Sequence, residues 1–274
     1  MKTRIITGSI AAILLIALIY WAPIQAAICA IAVCSVLSYL EFDKLFFEKA
    51  SLYRQSALSA MILLLLMSLR QSLDFTFVLF GSFYVLLAIV NVVGSSANQT
   101  MKEVVQHFSV ELVGCIYISG LFGFLIPILE IPGNGKDYLF LLFLLVFMGD
   151  TAAYFVGKKW GKRPLAAKVS PKKTVEGSIA AIVVSLIVSI VWVKWFYGGV
   201  IEGRFVLRLL AITSVISILA QLGDLFESVL KRSQGQKDSG SFLPGHGGIL
   251  DRVDGLAFSA PIFYFYVTRV LEKM

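Results

Sequence analysis

A chain of 274 residues with 58% hydrophobic and 15% charged residues, and a mean hydropathy of +0.85, lies outside the soluble globular class, where charged residues make up about 25%. The reading is an all-α polytopic membrane protein. Its 24 Lys and Arg against 17 Asp and Glu leave a formal charge of +7, which suits basic loops against anionic lipid and an anionic substrate; no nucleic-acid partner is expected.

Apolar runs of crossing length predict about nine transmembrane helices, over 5–22, 24–42, 56–69, 75–93, 109–131, 138–157, 178–197, 205–229 and 255–271. The chain divides into N-terminal scaffold helices, 1–137, and a C-terminal catalytic region, 138–274. Lys2 and Arg4 precede an apolar run that continues into a second one around Pro23, so the first segment is expected to be a retained span instead of a cleaved signal. Cys29, Cys34 and Cys115 lie inside apolar runs and act as small hydrophobes, with neither disulfide nor zinc expected. Glu41, Asp43, Lys44, Glu48, Lys49 and Arg54 read as a solvated mixed-charge connection, and 94–108 as an amphipathic interfacial helix. His107 reads as a polar loop residue and Glu111 as a weak candidate for a pairing residue. No internal repeat is visible, which argues against a transporter built from inverted halves.

A first polar island covers 150–177, DTAAYFVGKKWGKRPLAAKVSPKKTVEG. Asp150 and Tyr154 share a helical face, and an aspartate at membrane depth is a functional candidate by default. Lys158, Lys159, Lys162, Arg163, Lys168, Lys172 and Lys173 follow without an intervening acid, marking the segment as cytoplasmic. Ser170 or Thr174 is positioned as an N-cap. The same geometry turns backbone N–H groups and Lys172 and Lys173 toward any phosphate held there.

A second island covers 228–254, SVLKRSQGQKDSGSFLPGHGGILDRVD. Asp224, Ser228 and Lys231 are spaced to share one helical face, as are Asp251 and Asp254 on the next helix. Charges at bilayer depth cost about 2.5–3.5 kcal/mol each, so they need partners. Two oxygen-rich helix ends suit Mg²⁺, with Asp224, Asp251 and Asp254 as the ligands. Glycines including Gly247 and Gly248 allow close approach of an anion, and Lys231, Arg232, Lys237 and Arg252 would neutralise it. Both islands face the same side of the membrane because two spans separate them, which puts the links 70–74, 132–137 and 198–204 outside.

The run from Ser228 through Lys231, Arg232, Lys237, Asp238, Pro244, His246, Gly247, Gly248, Asp251 and Arg252 to Asp254 resembles the signature of the phosphatidate cytidylyltransferases, the CDP-diacylglycerol synthases. The Asp-Thr-Ala-Ala-Tyr and Ser-Pro-Lys-Lys-Thr runs of the first island resemble the same family. The resemblance implies an integral membrane enzyme that joins CTP and phosphatidic acid, releasing pyrophosphate. It further implies a two-cation site, with Mg²⁺ and K⁺ as the candidates, a homodimer, and a bacterial inner membrane with the site on the cytoplasmic face. Asp150, Asp224, Lys231, Asp251 and Asp254 are the expected catalytic group. Ser170, Lys172, Lys173, Thr174, Ser228, Arg232, Lys237, His246, Gly247, Gly248 and Arg252 are the expected substrate contacts. The competing readings are a CTP-dependent lipid kinase, which would leave CDP, and an ion-coupled transporter, which would show flux without CTP.

Overall fold

The computed structural model describes residues 2–47, 52–93, 99–197, 203–240 and 247–271. The first part holds α1 (Lys2–Tyr20), α2 (Ile24–Phe46), α3 (Leu52–Ser68), α4 (Leu73–Val93) and α5 (Met101–Cys115). The rest holds α6 (Leu125–Leu129), α7 (Gly135–Trp160), the strands β1 (Pro164–Ala166) and β2 (Ser170–Thr174), α8 (Val175–Tyr197), α9 (Gly203–Ser233) and α10 (Leu250–Tyr266). Among the described residues, six helices are long and apolar enough to cross a membrane: Ile24–Phe46, Asp74–Val93, Met101–Leu129, Gly135–Trp160, Val175–Phe196 and Val206–Ser233. The chain is an integral membrane protein. Shorter apolar helices, Gly8–Tyr20 and Gln55–Ser68, accompany them.

The described residues are predominantly helical, as the all-α polytopic reading expected, with one local addition between α7 and α8. Residues 164–174 form a small antiparallel hairpin pairing Pro164 with Thr174 and Ala166 with Ser170. Pro164 and Pro171 lack the N–H an interior helical residue needs, so the link between α7 and α8 extends and pairs with itself.

The helix expected over 94–108 is present from Met101 and continues past residue 108. Residues 94–98 lie outside the described residues. Thr100 Oγ1 accepts the Glu103 N–H at 3.3 Å and a Glu103 carboxylate oxygen accepts the Thr100 N–H at 2.8 Å. This capping box starts a helix, and the path runs on to Leu129 as one span, through a π-helical turn at Ile116–Leu121 and a 3₁₀ turn at Phe122–Phe124.

Small residues let the C-terminal helices close on one another, the usual solution where lipid removes the hydrophobic driving force. Ser185 Oγ donates to Leu145 O at 3.0 Å, and Tyr138 meets Trp192 at 6.1 Å. A Cβ on Gly149 would lie 3.0 Å from Ser185 Oγ, and one on Gly177 would lie 2.6 Å from Ala153 O. These contacts run in opposite senses along α7 and α8, so the two helices are antiparallel. Likewise Ser259 Oγ reaches Ile216 O at 3.3 Å, and a Cβ on Gly223 would lie 2.3 Å from Asp254 O, which aligns α9 against α10.

At the far end of the bundle, the links 70–74 and 132–137 meet the ends of neighbouring helices. Arg70 Nε pairs with Glu130 Oε1 at 2.7 Å, Tyr20 Oη donates to Asp137 Oδ1 at 3.0 Å, and Lys136 Nζ reaches Tyr20 O and Ala22 O at 3.3 and 3.2 Å.

Candidate active site

The site is built where α9 passes α10. Asp224, Glu227 and Lys231 are spaced i, i+3, i+7 along α9 and share a face. Asp254 comes from α10, brought close by the bare backbone of Gly223. One carboxylate oxygen from each of Asp224, Glu227 and Asp254 lies within 4.8 Å of the others. Glu227 is fully buried and Asp254 nearly so. An all-oxygen donor set of three carboxylates, two of them buried and Asp224 partly exposed, fits a hard divalent cation such as Mg²⁺.

Cations bracket this cluster. Lys231 Nζ pairs with both Glu227 and Asp251. Lys173, from β2, pairs with Asp224, and this contact joins the two islands into one site. Around them lies a cavity of about 800 Å³ lined by six carboxylates and five cationic side chains. Asp150, Lys158 and Tyr154 come from α7, Lys172, Lys173 and Thr174 from β2, and Asp238, Asp251 and Arg252 from the second island. Asp224, Glu227 and Asp254 form the close group while Lys172 and Arg252 are exposed, so a polyanion can meet positive charge without displacing the cluster.

The hairpin is anchored for this task. A Glu176 carboxylate oxygen accepts the backbone N–H groups of Lys162 and Arg163 at 3.0 and 3.3 Å. Thr174 Oγ1 accepts the Gly177 N–H at 3.2 Å, capping α8.

Several expected residues have other partners. Asp251 Oδ2 accepts the N–H groups of Ser239 and Gly248 at 3.0 and 2.8 Å and the Ser239 hydroxyl at 2.9 Å, so it ties the loop together beside the three-carboxylate cluster. Arg232 donates to Gln236 O at 3.0 Å, closing the end of α9, where Gly235 takes φ +66 in a left-handed C-terminal turn. Ser170, Ser228, Arg232, Lys237, Gly247 and Gly248 are not among the lining residues of the cavity. His246 lies outside the described residues.

The reading of residues 41–47 as a solvated connection is corrected. Glu41 and Asp43 belong to α2; Asp43 is fully buried and accepts Gln55 Nε2 at 2.8 Å. Glu41 Oε1 accepts the Ile249 N–H at 3.1 Å, and Oε2 accepts the Leu250 N–H at 2.9 Å and the Ser239 hydroxyl at 3.2 Å. The expectation fails because α2 continues past its apolar stretch, carrying these acids into contact with another part of the chain. Glu48, Lys49 and Arg54 lie outside the described side chains.

Sequence reasoning also missed Glu227. Its signal was present, three residues after Asp224 and four before Lys231, on the face already marked. No local pattern points to Glu41 or Gly223, whose partners lie far along the chain.

The chain matches the cytidylyltransferase family over residues 2–270. It is 34% identical to the phosphatidate cytidylyltransferase of Bacillus subtilis over 278 residues, covering 97% of each chain. The enzymes of the same name from Haemophilus influenzae and Staphylococcus haemolyticus are 39% identical over 136 residues and 46% over 129 residues. Those matches cover 49% and 47% of this chain, and 47% and 48% of the relatives.

Proposed function

Because the chain belongs to the cytidylyltransferase family, we propose that it transfers CMP from CTP to phosphatidate, giving CDP-diacylglycerol and pyrophosphate. The observation that carries this reading is a single cavity in which three converging carboxylates face Lys172, Lys173, Lys231 and Arg252 at the ends of membrane helices. Two polyanions must be brought together there, and positive charge with an oxygen-ligated cation is the chemistry that does so.

The reaction is an in-line displacement at phosphorus. A phosphatidate oxygen forms a bond to the α-phosphorus of CTP as the bond from that phosphorus to the bridging oxygen breaks, and pyrophosphate leaves with that electron pair. The nucleophile is already an anion near neutral pH, so positioning and charge stabilisation account for catalysis and no strong base is required. Lys172 and Arg252 hold phosphate oxygens at the exposed side of the cavity. Lys173 and Lys231 fix Asp224 and Glu227. Asp150, also on the wall, is assigned an orienting role toward the bound phosphates. Mg²⁺ on Asp224, Glu227 and Asp254 would neutralise charge developing on the phosphates. A second cation such as K⁺ and a homodimeric assembly belong to the same proposal by family resemblance. The basic hairpin supports a site on the cytoplasmic face by the positive-inside rule, and the bacterial relatives support a bacterial inner membrane.

The test is to incubate detergent-purified protein with labelled CTP, phosphatidate and Mg²⁺, following lipid-linked CMP and pyrophosphate. Equal yields of the two products are expected. Appearance of CDP would establish kinase chemistry instead, and untouched CTP across metals and lipids would remove the enzymatic reading and leave ion flux to be measured.

A further inference from the structure

We infer that Glu41, from the first half of the chain, is a positioning residue for this reaction: it seats the start of α10 and, through Ser239, steadies Asp251 and the Lys231–Glu227 pair beside the carboxylate cluster. The inference rests on the transfer reaction proposed above.

Both Glu41 oxygens are used, one on the Ile249 N–H and the other on the Leu250 N–H and the Ser239 hydroxyl. The first N–H groups of a helix have no intrahelical acceptor and carry partial positive charge, so a carboxylate there is stabilising. The fit is close. A Cβ on Gly240 would lie 2.5 Å from Glu41 Oε1, and one on Gly248 would lie 2.2 Å from Oε2. Glu41 is itself held firmly, because Tyr39 and Phe42 on either side are each 1% exposed.

The links run on to the chemistry. Ser239 is buried, and its hydroxyl lies 3.2 Å from Glu41 Oε2 and 2.9 Å from Asp251 Oδ2; its single proton serves one carboxylate at a time. Asp251 pairs with Lys231, and Lys231 with Glu227 of the cluster. Asp254 stands one turn further along α10, so the seating of that helix sets where Asp254 meets Asp224 and Glu227. Glu41 has a second effect. It occupies the N–H groups that would otherwise attract a substrate phosphate, leaving the phosphates to Lys172 and Arg252.

The experiment compares wild type with Glu41→Ala, Glu41→Gln and the control Lys44→Ala, on the exposed side of the same helix. Glu41→Ala is expected to lower kcat by about 10- to 100-fold, the scale of a misplaced catalytic group. KM for CTP should move by less than about threefold, because the phosphate-holding residues are untouched. Glu41→Gln, which keeps one oxygen acceptor, should recover part of kcat, and Lys44→Ala should match wild type. Amide hydrogen exchange at 249–250 should rise in Glu41→Ala while the α7–α8 contact region is unchanged. Wild-type kcat and wild-type exchange in Glu41→Ala would overturn the inference, as would a uniform rise in exchange across all helices, which marks general destabilisation. If the wild type makes no liponucleotide, the transfer reading fails. The exchange comparison then decides the seating alone: faster exchange at 249–250 upholds it and unchanged exchange overturns it.

Discussion

Glu227 and Asp251 illustrate how two carboxylates on neighbouring helices take different work from their surroundings. Glu227 points into the cluster with Asp224 and Asp254, whereas Asp251 spends one oxygen on three donors from the loop. Glu227→Gln should therefore raise the Mg²⁺ concentration for half-maximal activity by at least about tenfold, the lower end for disturbing a metal site. Asp251→Asn should lower activity and leave that midpoint in place; a Mg²⁺ titration of both variants separates the roles. Lys231 is the shared partner, with a side chain 10% exposed. Lys231→Met leaves the buried Glu227 without its cation and removes one partner of Asp251, and should cost about 3–5 kcal/mol, read as a lower melting temperature in detergent. At this scale the sequence marked the acids by their helical spacing but did not reveal which oxygen met which donor, because the donors are backbone N–H groups of a loop.

At the scale of elements, the glycine contacts between helices set the geometry of the site. Gly223→Ala would push a methyl into Asp254 O, 2.3 Å from its ideal position, and should cost about 1–3 kcal/mol as overpacking together with most of the activity. Gly81→Ala, with nothing within 4 Å of the new atom, should leave both thermal stability and turnover unchanged. The start of α8 depends on its cap: Thr174→Ala should lose about 1 kcal/mol, while Thr174→Ser keeps the oxygen and most of the stability. Apolar run length made the helices legible beforehand. The hairpin was hidden, because a basic glycine- and proline-bearing stretch also reads as an irregular loop.

For the whole molecule, the ends of the bundle differ in kind. One end joins Arg70 to Glu130 and Tyr20 to Asp137, and the other gathers the cavity. If the basic hairpin is cytoplasmic, Lys168→Cys should resist a membrane-impermeant maleimide in intact cells while Asn134→Cys is labelled; the reverse pattern would invert the topology. The sequence by itself determined that the chain spans a membrane, since only helices satisfy their own backbone in lipid and the apolar runs are long enough to show it. It also marked two polar islands as candidates for the site, because charge at that depth must be compensated. Tertiary structure alone decided that Lys173 of one island meets Asp224 of the other and that Glu41 closes the start of α10. Those pairings join residues from 51 to more than 200 positions apart, and helical periodicity, which relates a residue to neighbours three or four away, carries no information over such a span.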